Sequence, residues 1–375
     1  MPRVSRLTTG PVGAPAASVS TVQTKKFSNV PLDAQGRTAR LSVVLPPDVM
    51  SVSIFVNGKK DSEYLVEHFD SNGQVLTDER PPGVRMPADE FTQNPFDAGP
   101  LRSPNRSVVG AFLGKAQFMA PNNPRVALGG GKAEFSVRGF GGSSTATVAT
   151  PATGAVDIQV QIKRGPKNVV RGRLPLNLYF TGSGGYTAKT AAQSPIIKAA
   201  LEKLTAAYAA AGIEVGPVTY NAVSPTFAKV SSGAQVQEMF ESPAERKGVN
   251  LFFVNDLTAV GGTAVGASAG LPGPASNGSL RSGVLIATRD IPITFGSVES
   301  GSNALAGPMI HEVGHYLSLF HTADTFMRVE DQLADTSAND THNVMFPSDT
   351  EAPSFSKDQA WVMLRHPAVE NFNPR

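Results

Sequence analysis

A chain of 375 residues is long enough for two domains, and 41% hydrophobic residues allow a substantial buried core. The net charge of +2 comes from 33 basic and 31 acidic residues with no basic run, which argues against nucleic acid as the main partner. There is no cysteine, so disulfides, thiolate metal sites and cysteine nucleophiles are excluded, and any metal must be held by His, Asp or Glu.

No apolar run approaches the ~20 residues of a membrane span, so no transmembrane segment is expected. The opening "MPRVSRLTTGPVGAPAASVS" has basic residues but no apolar core, so a signal peptide is not present in this sequence. Abundant glycine (36) and proline (29) with few charged residues (17%) suit a turn-rich exported protein, so a secreted or periplasmic location is the expectation.

Residues 1–29 read as a flexible segment. From 30 to 163 the pattern is β, and a β-sandwich accessory domain is expected. "VMSVSIFVNGKKDSEYLVEHF" is two alternating runs around Asn57-Gly58, a hairpin signal, and "FDSNGQVL" supplies another turn. "AVDIQVQIK" puts Val156, Ile158, Val160 and Ile162 on one face and polar residues on the other. The basic stretch 164–173, "RGPKNVVRGR", reads as a linker.

The pattern then changes over 174–375. "LPLNLYF" is a buried strand, and "SPIIKAALEKLTAAYAAAG" is a helix with Ser194 at the N-cap, Pro195 at N1 and Gly212 at the end. Ile196, Ala200, Leu204 and Ala207 are expected on its core face. Strand candidates "IEVGPVTY", "VNLFFVNDL", "AVGASAG" and "GVLIATRD" follow, before a second long helix. The fold class is therefore α+β: a sandwich, then a domain with a mostly parallel twisted sheet.

"HEVGHYLSLFH", residues 311–321, holds three of the six histidines. Residues four apart lie one turn apart on one helix face, so His311 and His315 can offer nitrogens to one ion at about 2.0–2.1 Å. Glu312, roughly 100° around the helix, is placed as general base instead: it can take a proton from a water on the ion and pass it to a leaving amine. His321 joins only if the chain turns back after about Leu317. Three imidazoles leave one zinc position open, the arrangement of a catalytic site. Asp335, twenty residues past His315, is the rival third ligand. Tyr316 points away from the metal pair. Asp324, Glu330, Asp331, Asp335 and Asp340 either gather oxygens for calcium or form a solvated acidic loop. In "SKDQ", Ser356 and Gln359 form a capping box.

These residues resemble the metzincin zinc peptidases, whose signature is H-E-x-x-H-x-x-G-x-x-H followed by a methionine turn. Ser318 stands where that pattern has glycine, which places a non-glycine residue in a left-handed conformation at about 1–2 kcal/mol. "HT" after His321, "DQLADT", "NVMFP" and "FSKDQAWVM" are similar to the pappalysin-type members, over about residues 174–363. The resemblance implies a zinc endopeptidase, with Met345 as the Met-turn residue under the metal. It also implies that Val265, Gly266, Ala267, Ser268, Ala269 and Gly270 form an antiparallel edge strand along which a protein or peptide substrate lies. Phe346 and Pro347 follow the methionine, so no tyrosine hydroxyl is offered there. The alternative is a catalytically inactive surface-binding or adhesion protein whose sandwich recognises glycan or protein. The N-terminal half could also cover the cleft as a pro-segment, with a carboxylate such as Asp89 or Glu90 at the open zinc position.

Overall fold

The computed structural model describes residues 19–78, 107–109, 114–141, 150–244, 246–258, 264–275, 282–289, 297–323, 331–347 and 354–372. Among the described residues the first half carries ten strands: β1 (Thr21–Pro31), β2 (Leu41–Leu45), β3 (Val49–Asn57), β4 (Ser62–Ser71), β5 (Gln74–Asp78), β6 (Ser107–Val109), β7 (Lys115–Ala120), β8 (Gly131–Gly141), β9 (Thr150–Pro151) and β10 (Ala155–Arg164). One antiparallel sheet runs β1-β10-β3-β7-β6, and a second runs β2-β8-β4-β5 with β9 beside β8. Ile54, Phe118 and Val160 of the first share one core with Tyr64, Phe69 and Phe135 of the second.

Three sequence expectations change here. Residues 21–29, assigned to a flexible segment, belong to β1, which lies antiparallel on β10. The expected hairpin at Asn57-Gly58 does not form: β3 and β4 lie in different sheets. Neither residue has the positive φ that a tight hairpin turn requires, whereas Asn72 (φ 54°) and Gly73 (φ 78°) have it and do join β4 to β5. Third, the polar side of β10 is not all solvated. Val156, Ile158, Val160 and Ile162 are buried as expected, but Gln161 and Lys163 on the other face are buried too.

What covers them is the second half. It contains β11 (Gly172–Phe180), α1 (Ala188–Ala191), α2 (Pro195–Ala210), β12 (Ile213–Ala222), α3 (Gly233–Glu241), β13 (Val249–Val254), β14 (Gly266–Ser268), β15 (Val284–Ala287), α4 (Val298–Tyr316), α5 (Lys357–Arg365) and β16 (Glu370–Asn371). The sheet order is β12-β11-β13-β15-β14. The first four strands are parallel, β14 is antiparallel at the edge, and β16 pairs antiparallel with β11. Leu251 and Phe253 of β13 face the core made with α2, α4 and α5, while Phe252 and Val254 face α3. Helices cover both faces, which is why this strand is apolar at nearly every position.

The α2 caps form as read: the Ser194 hydroxyl accepts from the Ile197 N–H, and Pro195 begins the helix. Ile197, Ala200, Leu204 and Tyr208 are fully buried, and the expected Ile196 and Ala207 pack against the same core partly buried. The Tyr208 hydroxyl donates to the Ile310 carbonyl at 2.9 Å, tying α2 to the turn of α4 just before His311.

The halves are fastened by polar contacts. Lys163 of β10 donates to the carbonyls of Leu364 (2.8 Å), His366 (2.9 Å) and Val369 (2.6 Å), at and beyond the end of α5. The Ser51 hydroxyl donates to the Arg365 carbonyl at 2.6 Å, and Asn123 Nδ2 to that of Gln332 at 2.6 Å.

Candidate metal centre

α4 delivers His311 and His315 one turn apart, and its termination delivers His321. Leu317 closes the helix, and Ser318 follows at φ 84°. The Ser318 N–H bonds the His315 carbonyl (2.9 Å) and the Leu319 N–H bonds the Gly314 carbonyl (3.0 Å), the paired pattern of a Schellman turn. Ser318 thus occupies the left-handed position expected from its place in the motif. Ser318→Gly should stabilise the protein by about 1 kcal/mol, since relief of the left-handed cost outweighs glycine's entropy loss. Urea unfolding would register this as a higher midpoint at unchanged slope.

The turn brings His321 back. His321 Nε2 lies 3.0 Å from His311 Nε2 and 3.1 Å from His315 Nε2. Tetrahedral ligands at about 2.0–2.1 Å from zinc would lie about 3.3 Å apart, close to this spacing. His311 Nδ1 is 2.8 Å from the Val344 carbonyl, and His315 Nδ1 is 2.7 Å from that of Leu319. A carbonyl can only accept, so both Nδ1 atoms carry the proton and both Nε2 atoms present bare lone pairs. Burial lowers His311 to about 4 and holds His315 well below the usual imidazole value, with the neighbouring rings adding to both shifts. Neutral rings whose lone pairs converge on one point repel one another; a cation there turns that repulsion into coordination. The donor set therefore fits a zinc ion held by His311, His315 and His321. Among the described residues these three form the one group of three or more such ligands.

Met345 is fully buried, and a Cβ on Gly314 would meet its sulfur at 2.6 Å. Gly314 therefore leaves room for the Met345 side chain. The Met345 carbonyl accepts from the Thr322 N–H at 3.0 Å, so the turn carrying Met345 also holds the segment carrying His321.

Glu312 keeps a little exposure, yet protein surrounds its carboxyl, and burial raises it to about 8 against an opposing hydrogen bond from the Ser268 N–H. The carboxyl lies against β14: a Cβ on Gly266 would come 2.7 Å from Glu312 Cγ and 3.1 Å from Oε1. Glycine within a strand marks such a close approach. Gly266→Ala is expected to push the Glu312 carboxyl off the strand while metal uptake by the three histidines stays unchanged, read by metal analysis and a crystal structure of the variant. The Ala269 N–H and Val265 carbonyl are bonded to the 283–287 side of the sheet, so the expected edge strand forms.

Tyr316 is fully buried. Its hydroxyl donates to the Pro274 carbonyl at 2.8 Å and its carbonyl accepts from the Gly273 N–H at 2.7 Å, pinning the loop after β14 to α4.

The acidic residues do not assemble a calcium site among the described residues. Asp331 accepts from the Leu333 N–H and the Thr336 hydroxyl, and burial pushes it up to about 6. Asp335 accepts from the Ser356 hydroxyl (2.8 Å) and the Asp358 N–H (3.0 Å), so it caps α5 instead of serving as third metal ligand. Asp340 accepts from the His342 N–H. Local turns take up Oδ1 of Asp331 and of Asp340, and a helix end takes up both oxygens of Asp335. Asp324, Glu330, Asp89 and Glu90 lie outside the described residues.

Sequence reasoning missed the carbonyls of Val344 and Leu319, which act through backbone and leave no side-chain signal. It also missed Gly266, whose signal was a glycine in an edge strand.

No protein-family model matches the chain. No curated protein matches it either. Among solved structures, the crystal structure of metalloproteinase-II from Bacteroides fragilis is similar at 14% identity and a TM-score of 0.35, covering 54% of this chain and 61% of that one. A likeness at that level carries no argument, so the functional reading rests on the site itself.

Proposed function

We propose that the protein is a zinc-dependent endopeptidase of metzincin type, with the paired sheets of the first half as a β-sandwich accessory domain. The carrying observation is the convergence of three Nε2 atoms, two stripped of protons by backbone carbonyls, beside a carboxyl wedged against an edge strand. Zinc bound there would supply Lewis acidity toward a peptide carbonyl and its attacking water. His311 and His315 hold their tautomers through Val344 and Leu319. Glu312, as carboxylate, accepts the proton of the attacking water and returns it to the leaving amine. The free side of β14 offers backbone groups to an extended peptide, with Gly266 and Ser268 setting the distance to Glu312.

The test is chelation of the full-length protein followed by titration with zinc. Cleavage of a denatured protein substrate should vanish on chelation and return at one equivalent. Cleavage that persists after complete zinc removal would contradict the proposal. Absence of cleavage in both states, with binding to a glycan or cell-surface polymer, would favour the adhesion reading.

A further inference from the structure

Gln359 sits in the first turn of α5 and is fully buried, as is Asn343 of the methionine turn. Their amides form a reciprocal pair: Gln359 Nε2 donates to Asn343 Oδ1 at 2.9 Å, and Asn343 Nδ2 donates to Gln359 Oε1 at 3.1 Å. Each oxygen also accepts a backbone N–H, from Met345 at 2.9 Å and from Ser356 at 2.9 Å respectively. The second of these closes the capping box of α5; the first fixes the peptide units flanking Val344. The Val344 N–H is held by the Ser354 carbonyl at 3.0 Å, and its own carbonyl orients His311. Gln359 also faces the buried Asp331 carboxyl, whose backbone N–H donates to the His321 carbonyl at 2.9 Å. One amide thus reaches, through a single intermediary each way, toward the segments that carry or orient two of the three histidines.

We propose that Gln359 is a positioning residue for the metal centre: its Nε2 donor locks Asn343, and through it the Val344 carbonyl that sets the ring of His311. The capping box explains only Oε1. A buried donor aimed away from the helix end and toward the methionine turn has no part in capping. The proposal rests on the zinc reading above, since positioning matters only if the trio binds a cation.

The two roles separate by substitution. Gln359→Glu keeps an oxygen for the Ser356 N–H, and thus the capping box, but sets a carboxylate oxygen against Asn343 Oδ1 in place of a donor. Gln359→Met keeps the bulk and removes both roles. Ser356→Ala removes the helix cap and leaves the amide pair in place. Metal-free full-length variants would be titrated with zinc against a competing chelator, with unfolding followed in parallel. Both Gln359 variants are expected to bind zinc about tenfold more weakly, within the range that outer partners of a metal-bound histidine command. Ser356→Ala should lower stability and leave zinc affinity within about twofold of the original.

Zinc affinity unchanged in Gln359→Glu and Gln359→Met would overturn the proposal. So would a Ser356→Ala protein whose zinc affinity falls about tenfold, and that arm reports even if the Gln359 variants do not fold. If the unsubstituted protein itself takes up no zinc, the metal reading fails instead.

Discussion

Glu312→Gln is expected to reduce peptide cleavage about a thousandfold, within the range that general acid–base catalysis contributes. Zinc should stay bound, because the three converging nitrogens belong to His311, His315 and His321. The same substitution should stabilise the metal-free protein. The Glu312 carboxyl titrates at about 8 in the fold, because burial disfavours its charged form, against 4.5 for an unperturbed carboxyl. A raised carboxyl stabilises the fold below its unfolded value, and that stability is lost as pH rises through the folded value. Glutamine stays neutral throughout. The variant's advantage should therefore open above about pH 4.5, widen with pH and level off above about pH 8. Unfolding midpoints of the two metal-free proteins across that range would show it. A glutamine variant that cleaves undiminished would remove Glu312 from the chemistry, and equal midpoints at every pH would contradict the cost of burying its charge.

The second large effect concerns Lys163. Its ammonium has three donors and meets three carbonyls, of Leu364, His366 and Val369, with no exposure to solvent. Burial and the nearby Arg365 hold its pKa well below the ordinary lysine value. Lys163→Met keeps most of the apolar stem and removes the donors. Leu364 and His366 retain other donors, from Asn371 and Val369, so the expected loss is about 3 kcal/mol rather than the sum of three bonds. The lysine belongs to the first half and the carbonyls to the second. Denaturant unfolding should therefore show one transition shifted for both halves together. Two separate transitions, with only one displaced, would show halves that fold independently. A single transition would also make a detachable N-terminal pro-segment hard to sustain.

The histidine cluster was readable because its rules are local. Offsets of zero and four fix His311 and His315 on one helix face, and a left-handed residue at Ser318 is what returning His321 demands. The ends of α2 and the Asn72-Gly73 turn were readable for the same reason: caps and tight turns depend on a few adjacent residues. What failed was set by partners distant in the chain. Period-two alternation marks Lys163 as solvent-facing, and only the α5 end beyond residue 363 makes it buried. Asn57-Gly58 has hairpin composition, but its flanking strands take partners in different sheets. Ile197 and Tyr208 were left out of the α2 core face because α4 and β12 both pack on that helix and bury more of it than one stripe. Gln359 was legible as a cap and illegible as the partner of Asn343, since the pair exists only once α5 packs against the turn carrying Asn343 and Met345.

The most direct measurement is X-ray absorption at the zinc edge on the full-length protein loaded with one equivalent of zinc. The account predicts three imidazole nitrogens at about 2.0–2.1 Å with one further light-atom ligand, falling to two imidazoles in His321→Ala. A spectrum with fewer than three imidazoles in the unsubstituted protein, or one that His321→Ala leaves unchanged, would contradict it.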